Sequence, residues 1–581
     1  MSGLVRLAAL FVCVAGVSAC SGNAQPAPNG SADLVLKNGR VYTVDDARPW
    51  ARALAIREGR IVAVGSEQDV SRLVGEGTRI VDLGGKLVLP AFHDAHAHPV
   101  WGGLSYSRCP LYAGESPADY QKLIARCVAD EPGAGWLVGF GWRDGLFEPE
   151  GVPTKDLLDA VTTERPLAFY SVGGHSVWLN SKALHEAGIT RATPDPPNGR
   201  IDRNAQGEPI GALQEAATEL VAPFLPPPSQ RAQQDALRYG LAHFQSLGIV
   251  GWQDASVPIH PAEKVRIVET YAALRARGEL EAHTVLALTW DNARGLEQVS
   301  DLLAAAERAR SQKLDVRTIK FFVDGVLAQR TAALIEPYAD QQGLRGELQI
   351  APAVLTEAMV QLDARGFQLH VHAIGDHAVR STLDALALVE ARNGRKDRRP
   401  LISHTNLVAA EDWKRFAELG VIAVFQPLWA RLEEYMRMTA VRVGPQRMEH
   451  MYPSASLQRA GARAAYGSDW AVASANPLEG IGVALTHRDP GAASGEALSP
   501  AERVTLEQAI ESYTLTAAYA SYKDDVSGSL EIGKSADLVV LDCDLFKIPV
   551  VEIAKTRVLL TLYAGRAVHG DVSAVGARAR E

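Results

Sequence analysis

The 581-residue sequence is poor in cysteine, carries more negative than positive charge and contains no long uncharged apolar run beyond its first 25 residues. Its five cysteines are too few for a disulfide scaffold. The formal net charge of -9 leaves no basic footprint, so no nucleic-acid partner is expected. The missing apolar run excludes a membrane span from the body of the chain. With 47% hydrophobic residues, the chain is predicted to be globular with a large core, and its expected partner is a small molecule.

The first 20 residues are predicted to form a targeting segment. Arg6 precedes an apolar run over residues 7–19, which is too short to cross a bilayer but is typical of an export signal. The tetrad Val17-Ser18-Ala19-Cys20 resembles the lipobox of bacterial lipoproteins, which implies acylation of Cys20 and attachment to the bacterial cell envelope. Residues 21–32 then form a flexible tether. The alternative is a simple secretory signal and a periplasmic protein.

Three cysteines lie beyond the targeting segment, namely Cys109, Cys127 and Cys543. Export would permit a bridge between Cys109 and Cys127, because disulfides persist in oxidising compartments. The residues alone do not establish this bridge. Buried free thiols are therefore the expectation.

Short β patterns occupy both ends of the chain outside the targeting segment. From residue 33, two pairs of strands are predicted around Asn38-Gly39 and Glu58-Gly59 turns, and similar patterns recur near the C-terminus. A hairpin of few strands is marginally stable alone. We therefore predict one small β-sandwich, built from residues 33–88 and 528–572, with the catalytic body inserted between its halves.

The body, residues 89–527, alternates apolar strand patterns with helical ones. This alternation predicts an α/β fold, a TIM-like (β/α)8 barrel of parallel strands. An insertion at about 101–228 separates the first barrel strand from the second and is too long to be a simple loop. In such a barrel the active residues sit where the strands end. After the strand that contains His96, the predicted strands are 248–254, 282–289, 317–324, 367–373, 401–405, 421–426 and 464–469.

Six side chains that suit a metal centre lie at the ends of these strands. Two of them, His96 and His98, are two residues apart on one strand and therefore point to the same side, which is a metal-ligand spacing. Taken singly, each of the six has an ordinary explanation as a rim histidine, an ion-paired lysine or a helix-capping acid. Their coincidence on one predicted barrel indicates a metal centre. The six are His96, His98, Lys320, His372, His404 and Asp469.

Short motifs surround these residues, and further motifs lie in the insertion and near the C-terminus. They are Asp94-Ala95-His96-Ala97-His98, Gly174-His175-Ser176-Val177-Trp178-Leu179-Asn180-Ser181, Lys320-Phe321-Phe322-Val323-Asp324-Gly325, His372-Ala373-Ile374-Gly375-Asp376, Ser403-His404, Gly467-Ser468-Asp469-Trp470 and Gly533-Lys534-Ser535-Ala536-Asp537-Leu538. Together they resemble the amidohydrolase superfamily of metal-dependent hydrolases, and within it the branch of N-substituted formamide deformylase and the YtcJ-like proteins. The likeness covers residues 33 to about 572 and is not specific for a substrate.

The resemblance implies a set of metal ligands. It implies that His96, His98 and Asp469 hold one divalent ion, that His372 and His404 hold a second, and that a carbamate on Lys320 bridges the two. Zinc is the expected ion, since imidazoles and a carboxylate suit it.

Two alternatives stay open within this ligand set. The neutral amine of Lys320 is favoured beside two cations and is the form that takes up carbon dioxide. If Lys320 is unmodified, the centre would hold one metal ion and Lys320 would act as an electrostatic or hydrogen-bonding residue. His370 faces the same side of its strand as His372 and competes with it as a ligand, although the family motif favours His372. His93 lies on the opposite face from His96 and is expected to pack or to support the ligands.

Two residues are predicted to act on the substrate. Asp469 is the expected proton shuttle between the attacking water and the leaving amine. His175 follows Gly173-Gly174, which permit close backbone approach, and is assigned a catalytic or substrate contact.

Further residues are candidates for substrate binding. Arg330 suits a carbonyl or a carboxylate, with a structural ion pair as the alternative. Trp178, together with Trp136 and Trp142, suits a lid over an apolar substrate, with the core of the insertion as the equal alternative.

The expected function is metal-dependent hydrolysis of a carbon–nitrogen bond in an N-formyl or N-acyl amine, because a bound divalent ion acidifies its water and polarises the carbonyl. Alternatives are ester or lactam hydrolysis or an isomerisation on the same fold, and a catalytically silent exported ligand-binding lipoprotein. Membrane contact is expected only through the lipid anchor. The oligomeric state stays open, with a dimer as one alternative.

Overall fold

The computed structural model describes residues 30–147, 151–259 and 266–576. The predicted targeting segment with Cys20, and nearly all of the predicted tether, lie outside the described residues. Within the described part of the chain, no helix is long and apolar enough to cross a bilayer.

Eight parallel strands form a central barrel, as the sequence predicts. Each strand of the barrel pairs with the barrel strand that follows it in the sequence. Two backbone hydrogen bonds then join the first strand to the segment after the eighth: the Asp469 N–H donates to the His96 carbonyl at 2.8 Å, and the His98 N–H donates to the Trp470 carbonyl at 3.0 Å. Nearly all strand residues are buried, because helices cover the outside and side chains fill the inside. The strands span Phe92–Ala97, Ile249–Val257, His283–Thr289, Thr318–Phe322, Gln368–Ala373, Leu401–His404, Ile422–Phe425 and Arg463–Tyr466.

Helices surround the barrel, and local chemistry fixes where they begin. The helix before the second strand begins after Ser229, whose hydroxyl accepts the Ala232 N–H. The helix after the fifth strand begins after Gly375, where a Cβ would lie 2.0 Å from the Ala333 carbonyl oxygen. The barrel helices span Gln230–Ser246, Ile267–Ala276, Val299–Ser311, Pro352–Ala364, Asp376–Asn393, Trp413–Glu418, Glu434–Val443, Pro445–Met448, Ser454–Arg459, Pro477–Thr486, Leu506–Tyr513 and Leu515–Ala520.

The two ends of the chain meet in a pair of sheets that share a buried apolar core. Leu538 pairs with Pro90 and Val539 with Leu89, which sets a C-terminal strand beside an N-terminal one. One sheet contains Arg60–Gly65, Ala53–Arg57, Leu34–Lys37 and Arg79–Asp82. The other contains Arg566–Gly570, Val558–Tyr563, Leu538–Leu541, Leu87–Pro90, Arg40–Tyr42 and Trp50–Ala51.

The two predicted turns near the N-terminus have different outcomes. Glu58 and Gly59 both have positive φ, 49° and 74°, and connect an antiparallel hairpin. Asn38 also has a positive φ of 52°, but the strands on its two sides enter different sheets. Local turn chemistry is therefore correct at both sites, while the partner of each strand depends on long-range pairing.

The insertion between the first two barrel strands has its own five-stranded sheet. A disulfide joins Cys109 to Cys127, whose Cα atoms are 5.6 Å apart, so the expectation of free thiols at these positions is wrong. Cys543 is free and half-buried. The sheet contains Gly199–Arg203, Pro209–Glu215, Ser176–Leu179, Leu167–Ser171 and Leu137–Trp142. The helices beside it are Pro99–Ser107, Pro117–Asp130, Lys155–Asp159 and Ser181–Glu186.

Candidate metal centre

The predicted ligands converge at the C-terminal ends of the barrel strands. One carboxylate oxygen of Asp469 lies 2.9 Å from His98 Nε2 and 3.5 Å from His96 Nε2. The other oxygen lies 4.0 Å from His404 Nδ1. Ligand atoms of His96, His404 and Asp469 all lie within 4.8 Å of one another. This spacing fits a tetrahedral ion, whose ligands at ~2 Å lie roughly 3.4 Å apart.

Hydrogen bonds orient two of the imidazoles. His96 Nδ1 lies 2.9 Å from Ser403 Oγ and 3.1 Å from His370 Nε2, so its Nε2 faces the centre. His404 Nδ1 donates to Gln426 Oε1 at 2.8 Å, which leaves Nε2 free to bind an ion. Such outer partners fix the tautomer and the ring orientation of metal ligands.

Burial keeps three imidazoles of the centre uncharged. The pKa values of His96, His372 and His404 lie well below the ordinary value, chiefly because burial disfavours the charged ring, and Lys320 lowers them further. A neutral imidazole is the form that binds metal ions. The donor set therefore fits a divalent cation in charge state as well as in spacing.

Lys320 lies beneath the imidazoles, with its Nζ 3.4 Å from His96 Nε2. Burial lowers the pKa of Lys320 to about 7, although Asp469 opposes the shift. A substantial share of this amine is therefore neutral at physiological pH, and the neutral amine is the form able to react with carbon dioxide. Carboxylation of Lys320 stays a prediction.

His372 and His370 occupy different positions on the fifth strand. The His372 ring lies 4.5 Å from the His404 ring, and its Nε2 donates to a backbone carbonyl at 3.2 Å, which leaves Nδ1 for an ion. Both ring nitrogens of His370 are already in contact with side chains, Gln253 and Ser403. The geometry therefore favours His372 over His370 as a ligand.

Two of the predicted ligands have unusual backbone conformations. The φ angle is 76° at His404 and 55° at Asp469. Such conformations cost about 1–3 kcal/mol each and persist only where the surroundings hold them. Asp94 holds the Asp469 segment, since its carboxylate accepts the N–H groups of His96 and Ser468, both at 3.0 Å.

A cavity of about 770 Å³ opens over the centre. This volume is in the range of sites for small organic ligands. Five of the six predicted ligands line it, while Lys320 does not. Aromatic residues supply part of the wall, among them Trp101 and Trp429, and the Trp429 ring stacks on His404 at 5.4 Å.

His175 lines the same cavity and is paired with an acid. Its Nδ1 lies 2.9 Å from Glu215 Oε2, and Thr331 Oγ1 donates to the other Glu215 oxygen at 2.7 Å. Its ring lies 5.7 Å from that of His372. Burial alone would lower the pKa of His175, but Glu215 outweighs it and the pKa is raised. His175 therefore faces the cavity as an imidazole with an enhanced capacity to donate hydrogen bonds.

The tryptophans predicted to form a lid lie elsewhere. Trp178 is fully buried, and its indole N–H donates to the Thr154 carbonyl at 2.9 Å. Its ring lies 6.4 Å from that of Trp142, and Trp136 stacks on Phe224 at 5.9 Å. The prediction that Trp178 contacts the substrate does not agree with this position, because the side chain packs in the core of the insertion.

Arg330 also lies away from the lining of the cavity. It pairs with Asp340 at 2.7 Å, and Arg442 pairs with the same carboxylate at 2.9 Å. Its backbone φ is 61°. The predicted substrate contact is therefore replaced by the structural ion pair that the sequence left as an alternative.

Three polar residues in or behind the cavity wall were not identified from the sequence. Gln329 Nε2 donates to Asp144 Oδ1 at 2.7 Å, across a separation of 185 residues. Burial raises the pKa of Asp144 to about 7. Glu215 becomes the partner of His175 only through strand pairing within the insertion. No local pattern distinguishes these residues, since each gains its role through distant contacts.

Comparison with known proteins identifies relatives of this chain. Residues 79–569 match the Amidohydrolase family. The chain is 32% identical to Protein LONG AFTER FAR-RED 3 of Arabidopsis thaliana, over 88% of this chain and 87% of that protein. It is 26% identical to N-substituted formamide deformylase of Arthrobacter pascens, over 92% of this chain and 97% of that protein.

A solved structure resembles the fold over nearly its full length. It is an uncharacterized metal-dependent hydrolase from Pyrococcus furiosus, with a TM-score of 0.67 and 26% sequence identity. The match covers 88% of this chain and 100% of that one. This chain therefore shares its fold with a protein described as a metal-dependent hydrolase.

Proposed function

Because this chain belongs to the amidohydrolase family, we propose that it is a metal-dependent hydrolase of carbon–nitrogen bonds whose substrates are N-formyl or N-acyl amines. The observation that carries the proposal is the convergence of imidazoles and the Asp469 carboxylate at the base of one cavity. The relative named N-substituted formamide deformylase supports the choice of bond.

The donor set assigns the residues that would hold the metal. His96, His98 and Asp469 would bind one divalent ion, zinc by their chemistry, while His372 and His404 would bind a second and a carboxylated Lys320 would serve both. When bound, the ion would act as a Lewis acid that activates water and polarises the substrate carbonyl.

Asp469 moves the proton in this proposal. Its carboxylate takes a proton from the attacking water and delivers it to the nitrogen of the leaving amine. The hydrogen bond from its backbone N–H to the His96 carbonyl, at 2.8 Å, holds the backbone of this residue against the first strand.

His175 acts on the carbonyl side of the substrate. Glu215 holds its Nδ1 at 2.9 Å, so Nε2 is the nitrogen available to the substrate. A hydrogen bond from this nitrogen to the carbonyl oxygen stabilises the negative charge that develops in the transition state. Trp101 and Trp429 exclude water from the same space.

The proposal is tested with a panel of N-formyl and N-acyl amines, together with matched esters and lactams. We expect the purified protein to release amine, to lose this activity after treatment with a chelator and to regain it with zinc. Hydrolysis confined to esters would contradict the choice of bond, and hydrolysis confined to lactams would contradict the choice of open-chain acyl amines. Ligand-induced stabilisation without product would instead favour a binding protein.

We also propose that the protein is exported and anchored to the envelope through Cys20. The lipobox-like tetrad supports this proposal, and so does the Cys109–Cys127 disulfide, because such bonds are rare in reducing compartments. Labelled palmitate should enter the wild-type protein but not the Cys20→Ser variant, which should leave the membrane fraction. Unlabelled wild-type protein in the cytosolic fraction would contradict the proposal.

A further inference from the structure

A second polar region lies on the wall of the cavity, apart from the metal ligands. It contains Asp144, Gln329 and Glu433, which the proposed mechanism does not use. Asp144 and Gln329 are each 7% exposed, so both are more than nine-tenths buried. Glu433 caps the helix Glu434–Val443, since its carboxylate accepts the N–H groups of Tyr435 and Met436. Gln329, in contrast, has a buried acceptor without a partner, which is costly and requires an explanation.

Gln329 has an unsatisfied acceptor at this wall. Its Nε2 donates to Asp144 Oδ1 at 2.7 Å, which fixes the orientation of the amide. Its Oε1 is buried and has no hydrogen-bond partner among the described residues. Asn406, which lines the same cavity, has a buried Oδ1 in the same state. Both atoms can only accept, so the missing partner is a hydrogen-bond donor.

Neither carboxylate of this region has a lysine or arginine within ion-pair distance in the described part of the chain, although the charges of His175 and Arg431 act on Asp144 and Glu433 from further away. Within residues 30–147, 151–259 and 266–576, neither Asp144 nor Glu433 forms an ion pair. The two arginines that line the cavity have other acids: Arg143 lies 3.9 Å from Glu434, and Arg431 lies 2.6 Å from Asp489. Burial raises the pKa of Asp144, and the nearby charge of Glu433 raises it further. A cation at this wall would relieve both effects.

The region lies within reach of the reacting groups. Asp144, His175 and the metal ligand Asp469 all line the same cavity, and the His175 ring lies 5.7 Å from that of His372. One substrate in a cavity of about 770 Å³ can therefore contact both.

We infer that Asp144, Gln329 and Glu433 form a specificity subsite that binds a positively charged, N–H-rich group, a primary ammonium or a guanidinium, on the part of the substrate remote from the cleaved bond. This inference rests on the proposed function and narrows it to acylated amines that carry a second, basic group. Such a group supplies several donors to the acceptors of Gln329 and Asn406 and a positive charge to the two acids.

The kinetic test compares two acetamides of equal length, N-acetyl-1,4-diaminobutane and N-pentylacetamide. For the wild type, we expect kcat/KM to favour the cationic substrate by about 10- to 100-fold, the range expected of charge-assisted hydrogen bonds. Asp144→Asn should bring this ratio near one, and Glu433→Gln should lower it less. Asp301→Asn, which removes an exposed acid that pairs with Arg294, should leave the ratio unchanged. A wild-type ratio near one, or a ratio that Asp144→Asn does not change, would overturn the inference.

A binding measurement separates this inference from the proposed function. Calorimetric titration with 1,4-diaminobutane, and with 1,4-butanediol as its neutral counterpart, requires no turnover. The subsite is supported if the diamine binds, the diol does not, and Asp144→Asn abolishes binding of the diamine. If this result is obtained and no amide is hydrolysed, only the proposed reaction fails. If the diamine does not bind the wild type, the subsite is overturned whatever the protein hydrolyses. Circular dichroism and the melting temperature establish that the variants are folded.

Discussion

At the scale of single residues, burial decides the charge state of nearly every group in the centre. His96, His372 and His404 are held neutral and Lys320 is brought to a pKa of about 7, because each lies where water does not reach. The Asp469 carboxylate contacts two imidazoles at once, at 2.9 Å from His98 and 3.5 Å from His96. The chemistry of the site therefore depends most on this carboxylate.

Asp469→Asn removes the proton shuttle and one metal ligand while keeping the size of the side chain. We expect kcat to fall by about 10²- to 10⁴-fold, the range for loss of a general acid–base group. Steady-state release of amine measures the effect. The matched control Asp301→Asn removes an exposed carboxylate and should keep full activity. Activity of Asp469→Asn within a fewfold of the wild type would remove Asp469 from its role.

Lys320 tests whether the centre holds one ion or two. If its carbamate bridges two ions, Lys320→Met should lower the metal content from two ions per chain to one. Reconstitution of the metal-free wild type should then require bicarbonate, whereas the variant should not respond to it. Elemental analysis of both proteins measures the change. Equal metal content in the two proteins would show that Lys320 is not a bridging ligand.

The buried acid of the cavity wall predicts a pH dependence of stability. Burial raises the pKa of Asp144 from 3.8 to about 7, with His175, Glu433 and Tyr435 as its charged or titratable neighbours. A raised pKa in the folded state gives stability that is fully present below pH 3.8 and is lost as the pH rises through about 7. The Asp144→Asn variant has no ionisable group at this position and therefore does not lose this stability.

The melting temperature of Asp144→Asn, minus that of the wild type, should therefore rise across this pH window and level off above it. The measurement is made without amines, because a bound cation would stabilise the ionised acid. Other buried acids titrate in both proteins and cancel in the difference. A difference that stays constant with pH would contradict the assignment of a raised pKa to Asp144.

At the scale of elements, much of the fold was predictable from local patterns. The eight barrel strands follow from apolar runs that alternate with helical segments, and their ends identify the ligands because a parallel barrel gathers its strand ends at one face. The motifs around His96, Lys320, His372 and Asp469 predicted a likeness to the amidohydrolase superfamily, which the match over residues 79–569 confirms.

The interior of the insertion could not be predicted in the same way. Trp178 and Arg330 carry no local mark that separates a substrate contact from a packed side chain or an ion pair, and both have structural partners. Glu215 and Asp144 gain their roles through contacts with residues far along the chain, at separations of 40 and 185 residues. Such roles depend on the register of a sheet and the path of a loop, which local periodicity does not specify.

The disulfide of the insertion predicts a measurable contribution to stability. Cys109 and Cys127 are separated by 18 residues, and closing a loop of this size stabilises the folded state by about 3 kcal/mol. The double variant Cys109→Ser/Cys127→Ser should lower the melting temperature and expose the insertion to proteolysis. Cys543→Ser, at a free thiol, should change neither. Equal melting of the wild type with and without reductant would contradict this contribution.

At the scale of the whole molecule, the barrel and the terminal sheets bring together residues that lie far apart in the sequence. His96 and Asp469 are joined because the segment after the eighth strand bonds to the end of the first. The insertion then completes the cavity over the centre with His175 and Asp144. Removing the metal should therefore abolish turnover without abolishing the fold, since the barrel closes through backbone hydrogen bonds.

The central claim is that these side chains form one metal centre, and anomalous diffraction from crystals grown with zinc tests it most directly. We predict a peak about 2.0 to 2.3 Å from His96 Nε2 and the Asp469 carboxylate, at the base of the cavity. A zinc-dependent protein whose crystals show no peak among His96, His98, His404 and Asp469 would contradict the account.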